Sequence, residues 1–204
     1  MHIDHLVYAV PDLASAVADL QGRTGVRAAT GGKHLGLGTH NALLALGPRT
    51  YLEIIAPDPE QLEPVSRRPF GLDITKGARV AGWVVGVEDI DAAIANARAH
   101  GYDPGDAIEM QRSTPDGTVL RWRLTLNALD GGPVPLLISW GDTDHPARTA
   151  PQGIVLEQLT IEAAAAETLT PTFRALGVDV AVITATETTL VADLRCPHGR
   201  IQLR

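Results

Sequence analysis

The sequence predicts an α+β fold of repeated βαβββ modules that form a cupped mixed sheet with helices on its outer face. Two observations predict it. One grammar, an apolar strand, a short helix and three further strands, recurs three times, opening with IDHLVYAVPDLASAVADLQ from Ile3, VAGWVVGVEDIDAAIANAR from Val80 and LEQLTIEAAAAETLTPTFR from Leu156. In each copy apolar positions first alternate, as in a half-buried strand, and then lengthen to helical spacing. The helical positions are Leu13, Val17 and Leu20, then Ile90, Ile94 and Ala97, then Leu169, Phe173 and Leu176. Gly101 and Gly177 stand where a helix C-terminus favours a left-handed residue.

Within the first copy, strands are expected near residues 2–10, 26–30, 41–46 and 51–56; in the second near 79–87, 107–111, 120–127 and 135–140. The third copy is compressed, with strands near 155–162, 180–184, 189–195 and 200–203. Punctuation divides the chain into a first module (1–58), a linker (59–77), a second module (78–141), a second linker (142–152) and a shorter third module (153–204). The first linker loses periodicity and gathers Pro59, Pro64, Arg67, Arg68 and Pro69, so it is expected to wrap between modules and to cover a cavity.

Composition narrows the partners. A formal charge of −7 argues against a surface that binds a phosphate backbone, which needs clustered cations, so nucleic acid is not expected. No segment approaches the roughly 18 uninterrupted apolar residues that span a bilayer, so no membrane partner is expected. The lone Cys196 can form no internal disulfide, and the N-terminus enters a strand directly, which together indicate a cytoplasmic protein.

Strand parity locates the chemistry. If Leu6, Tyr8 and Val10 face the helix, then His5, Val7 and Ala9 face the concave side. By the same parity Glu53 shares a face with Tyr51 and Ile55 on the closing strand of the module. A neutral imidazole and a carboxylate suit a borderline divalent ion, although the same two groups also form an ordinary hydrogen-bonded pair. Sliding the second copy onto the first puts Gly82 at the His5 position and Leu137 near the Glu53 position, and neither binds metal. The third copy has Gln158 and Gln202 there, so a four-residue set would require modules one and three to pair. Lys33, His34, His40 and Asn41 lie in or beside the glycine-rich stretch GGKHLGLGTHN, read as a turn between strands and not as a phosphate-binding fingerprint. Arg112, Arg121, Trp122, Arg123 and Trp140 form an arginine and tryptophan group suited to a small anion with an apolar part. Alternation sends Trp122 inward and Arg121 and Arg123 outward, with Arg112 reaching the cavity. Trp83 and Trp140 read as core residues, and His100, His145 and Cys196 as outside the site.

The repeat resembles the βαβββ module of the vicinal oxygen chelate superfamily. The stretch GGKHLGLGTHNALLALGPRTYLEIIAPDP, with RSTPDGTVLRWRLT and PLLISW, resembles its glyoxalase-like branch. The resemblance covers about the first 140 residues firmly and the rest loosely. It implies that His5 and Glu53 take the two strand positions that supply ligands in metal-dependent members, for a divalent ion such as zinc, nickel, manganese or iron. It further implies that Glu53 moves a proton, that His34 and Asn41 match the branch's pattern and orient the substrate, and that Arg112 and Trp122 complete the binding wall. The implied activity is that of a lyase, isomerase or related enzyme acting on a small oxygen-rich, anionic metabolite. A metal-free protein that sequesters a small molecule in the same cup is one alternative, and a structural interaction module with a vestigial cavity is another. Such modules often pair across subunits, which would make the protein a homodimer.

Overall fold

A computed structural model describes residues 1–61, 67–74, 76–114 and 117–204. Pro64, singled out in the first linker, lies outside the described residues. The first module contains β1 (His2–Ala9), α1 (Leu13–Thr24), β2 (Ala29–His34), β3 (Thr39–Gly47) and β4 (Thr50–Pro57). The second contains β5 (Arg79–Gly86), α2 (Ile90–Ala99), β6 (Ala107–Ser113), β7 (Val119–Thr125) and β8 (Leu136–Ser139). The third contains β9 (Val155–Ala163), α3 (Ala166–Leu176), β10 (Ala181–Thr184), β11 (Thr189–Cys196) and β12 (Gly199–Leu203).

Helix starts follow from the sequence. Asp12 caps α1 by accepting from Ser15 N at 2.8 Å, and Asp89 caps α2 by accepting from Ala92 N at 2.9 Å. The α1 and α3 ends are closed by Gly25 and Gly177 in the left-handed conformation, and α2 is followed by Gly101, also at positive φ.

Modules one and two join through antiparallel β1 and β5 in one eight-stranded sheet of order β2-β3-β4-β1-β5-β8-β7-β6. The third forms its own four-stranded sheet, β10-β9-β11-β12. Pairing of modules one and three, the condition for a His, Glu, Gln, Gln set, is therefore excluded, and Gln158 and Gln202 are exposed and bonded to Thr160 and Asp193. The helical side of the third module continues the core on the convex side of the cup. Leu6, Leu52 and Trp83 share that core with Ile94, Ile161, Phe173 and Leu190. Trp83, 2% exposed, meets the Phe173 ring edge-on at 5.8 Å, and its indole N–H donates to Pro133 O.

The predicted alternation holds on the inner strand. Leu6, Tyr8 and Val10 enter the convex core, while Val7 and Ala9 join a second cluster inside the cup with Ile55, Val84, Leu136 and Ile138. One strand differs from its expected position: β2 runs from Ala29 to His34, so Gly31, Gly32, Lys33 and His34 are strand residues and not a turn. A register shift between Thr30 and Lys33 leaves the two glycines opposite Asn41, whose amide oxygen would lie 2.1 Å from a Cβ at Gly31. A Cβ at Gly32 would lie 2.7 Å from Ser113 O of β6. The glycines let the two outer strands of the sheet approach, so the cup is nearly closed.

Candidate functional site

The sheet curls around a cavity of about 70 Å³. Its lining includes His5, His34, Asn41, Glu53, Arg112 and Trp122, so the structure brings all six sequence-chosen residues together. Parallel pairing of β1 with β4 sets His5 opposite Tyr51 and Val7 opposite Glu53. His5 and Glu53 thus share one face, with His5 Nε2 3.8 Å from Glu53 Oε2.

Glu53 is 8% exposed and held on one side only. Asn41 Nδ2 donates to Oε1 at 2.6 Å, and Asn41 Oδ1 in turn accepts from Gly32 N at 2.9 Å, so the β2 distortion aims the amide. Among the described residues none donates to Oε2. His34 Nε2 lies 3.7 Å from Oε1, and His34 Nδ1 bonds Thr39 Oγ1 at 2.9 Å. Burial lowers the His34 pKa from the ordinary histidine value, with the Glu53 charge opposing it. The ring is therefore neutral near pH 7. Lys33 and His40 do not line this cavity; Lys33 pairs with Glu60 on the surface.

Arg112 is 7% exposed, a buried cation on edge strand β6. Its Nη1 donates to Gly31 O at 3.1 Å across the gap to β2, and among the described residues no carboxylate lies within 4.0 Å of it. Trp122 points inward as expected and packs against Trp140 at 5.4 Å. Arg121 is exposed and Arg123 pairs outward with Asp91 at 2.6 Å.

The second module's half of the cup is apolar. The register of β5 with β8 pairs Val84 with Leu136, the counterpart of Val7 with Glu53, so Leu136 and not Leu137 takes the Glu53 place; Leu137 faces the convex core. Gly82 takes the His5 place, and the space above it is filled by the Phe70 ring from the first linker. A Cβ at Gly82 would lie 3.1 and 3.2 Å from that ring. Phe70 itself has φ 56 and ψ 25, a left-handed conformation costly for a large side chain. Its N–H donates to Leu129 O and its carbonyl accepts from Arg79, which hold it there.

Sequence reasoning missed Asp4, Tyr51, Phe70, Trp140 and His145. Tyr51 stacks on His5 with ring centroids 4.6 Å apart, and burial, then the charges of Asp4 and Glu53, push its hydroxyl well above the usual range. Trp140 was read as core and His145 as a linker residue, yet both donate to the carboxylate of buried Asp4, each at 3.0 Å. No alternation signal marks Asp4: a register shift between Ile3 and His5 makes it the extra residue of a bulge and swings it toward its neighbour. His100, on the convex side at the end of α2, and Cys196 play no part in the cavity. The Cys196 thiol contacts Gly199 O while His198 bonds Gly22 O, so the two form no dyad.

For a divalent ion the donor set is half built. His5 Nε2 and Glu53 Oε2 face the cavity at a spacing one ion could bridge, which fits a metal from the first module's side. Gly82 and Leu136 offer nothing from the other.

Two βαβββ modules sharing one sheet around a lined cavity are the fold of the vicinal oxygen chelate superfamily. Residues 3–177 match the model of the glyoxalase-like domain family, and the chain belongs to that family. No protein of curated function matches the sequence. A hypothetical protein from Staphylococcus aureus is similar over 98% of this chain and 83% of its own, with 16% identity and a TM-score of 0.61. Methylmalonyl-CoA epimerase from Mycobacterium tuberculosis is similar over 70% of this chain and 88% of its own, with 20% identity and a TM-score of 0.44. Among the described residues no helix is long and apolar enough to cross a membrane.

Proposed function

We propose that the chain is an enzyme that moves a proton on a small carboxylate-bearing metabolite, at a carbon next to an oxygen function, with Glu53 as the base. The observation that carries the proposal is the coexistence in one cavity of a buried guanidinium and a buried carboxylate that, among the described residues, have respectively no carboxylate partner and one oxygen without a hydrogen-bond donor. A guanidinium in such a setting is offset by a ligand carboxylate, which it can meet with two parallel N–H donors. Trp122, Trp140 and Phe70 supply an apolar wall that favours a ligand with a hydrocarbon portion and disfavours one with several phosphates.

Held in that way, the ligand would meet Glu53 through Oε2, while Asn41 keeps Oε1 occupied and the carboxylate oriented. His34, neutral and tied to Thr39, and Asn41 orient the ligand's oxygen functions. His5 and Glu53 are the residues that would hold zinc, nickel, manganese or iron, and such an ion would polarise a ligand carbonyl and ease loss of the proton beside it. Chemistry of this kind places the reaction among lyases, isomerases and their relatives. The acidic chain is assigned small molecules and not nucleic acid or membrane as partners, a cytoplasmic location and a homodimeric state.

A metal-free binding protein is the second reading, favoured by the replacement of the second module's ligand positions by Gly82 and Leu136 and by Phe70 filling the space. Screening carboxylate metabolites for thermal stabilisation and turnover, in wild type and Glu53→Gln, separates the two. Under the enzyme reading, Glu53→Gln loses about 10²–10⁴-fold in turnover and keeps appreciable binding, since a general base acts in the transition state. Turnover unchanged by Glu53→Gln defeats the assignment of the base; ligands that bind without ever turning over favour the binder.

A further inference from the structure

We infer that Asp4 is a positioning residue that fixes His5 as its Nδ1–H tautomer, so that the Nε2 lone pair faces the cavity and accepts a proton or hydrogen bond from the ligand. The inference deepens the enzyme reading and rests on it only for the use made of that lone pair. It follows from assigning each proton in a chain of contacts that begins in the second linker.

The backbone N–H of Ala147 donates to His145 Nδ1 at 3.2 Å, so that nitrogen must carry a lone pair and the neutral ring carries its proton on Nε2. His145 Nε2–H then donates to Asp4 Oδ2 at 3.0 Å, beside the indole N–H of Trp140 at the same distance. Asp4 Oδ2 therefore accepts from two N–H donors at once, the arrangement an ionised carboxylate satisfies. Asp4, with no exposure, is thus a carboxylate that only accepts. Its Oδ1 lies 2.7 Å from His5 Nδ1, so that nitrogen carries the proton and His5 Nε2 is the acceptor. Stacking on Tyr51 fixes the ring plane. Asp4 and Tyr51 thus hold the His5 ring, and Glu53 Oε2 stands 3.8 Å from its Nε2.

The same carboxylate with His2 and His145 makes a group of three whose ligand atoms lie within 4.8 Å of one another, a spacing a metal could use. The Ala147 contact argues for the other role. A ring that accepts at Nδ1 and donates at Nε2 is a proton donor to Asp4, not an electron-pair donor to an ion. His5 is therefore oriented by the unit that includes residues 145–147, outside both modules of the cup.

The experiment is long-range ¹H–¹⁵N correlation of the histidine rings in the ligand-free protein at slightly alkaline pH, which reads tautomers without any turnover. The expected wild-type result is Nδ1–H for His5 and Nε2–H for His145. Asp4→Asn is expected to lose the single His5 signature, because an amide can turn its NH₂ toward Nδ1, whereas His145→Gln, which still offers an N–H to Asp4, keeps it. Wild-type His5 found as Nε2–H, or an unchanged His5 signature in folded Asp4→Asn, overturns the inference. The wild-type spectrum decides the matter even if Asp4→Asn does not fold. A correct tautomer with no turnover on any substrate leaves the positioning role standing and defeats the enzyme reading alone.

Discussion

Arg112→Met separates a residue kept for a ligand from one kept for the fold. In the free protein the guanidinium is 7% exposed and, among the described residues, makes one hydrogen bond, to Gly31 O at 3.1 Å. Taking a charge of this size out of water costs several kcal/mol after relaxation, about as much as can be regained only with an ionic partner. One hydrogen bond to a charged group returns about 1.5–3 kcal/mol. Methionine keeps an unbranched, flexible stem, removes the charge and loses the tie between β6 and β2. The two opposing terms, each a few kcal/mol, leave the variant within about 2 kcal/mol of wild type, or about 4–8 °C in Tm for a chain of this size. The ligand-bound comparison is more decisive. A carboxylate at about one hundred times its Kd stabilises wild type by about 2.7 kcal/mol, and that increment should vanish in the variant. Thermal unfolding with and without the best carboxylate from a screen measures both terms. A variant that melts more than about 10 °C below wild type while keeping its ligand-induced increment would refute the reasoning, for Arg112 would then be a strut between strand edges and nothing more.

Metal binding to wild type should be weak, lost in His5→Ala, and weaken as pH falls and the imidazole is protonated, which calorimetric titration with zinc, nickel and manganese reports; tight binding indifferent to His5→Ala removes His5 from the site. Gly82→Ala should cost about 1–3 kcal/mol because its Cβ presses on the Phe70 ring at 3.1–3.2 Å, and most of that cost should disappear in a Phe70→Ala background. Additive denaturant midpoints in that cycle would show that the ring does not fill the vacated ligand place. Because burial lowers the His34 pKa, the unfolded chain binds the extra proton first as pH falls below about 6.5, so stability should decline from there until the folded-state value is passed. His34→Gln should flatten that part of the profile, and an unaltered slope in chemical denaturation would place its origin elsewhere.

Parity along β1 and β4 was legible because it is local. Two-residue alternation puts His5 and Glu53 on one face wherever the strands go, and the same reasoning turns Trp122 inward and Arg123 outward. It fails where the ladder gains a residue. Strict alternation sends Asp4 to the opposite face from His5, but the bulge between Ile3 and His5 brings the two side chains within 2.7 Å. The glycine pair at Gly31 and Gly32 reads as a turn because glycine disfavours strands. Its reason is the side chain of Asn41 and the carbonyl of Ser113, a contact 81 residues away in sequence.

The amino-acid sequence by itself determined the module repeat, the helix ends, the convex core and the polar half of the cup, all of which depend on periodicity and residue chemistry within short spans. Only the tertiary structure decided which modules pair, that Phe70 of the linker occupies the place where a second ligand pair would stand, and that His145 and Trp140 reach Asp4 across 141 and 136 residues of chain. The physical reason is that a strand's pattern fixes which face is buried but not what covers it: an apolar face such as that of Gly82, Val84 and Leu136 is satisfied equally by a module, a linker or a ligand, and the packing of the whole chain selects among them.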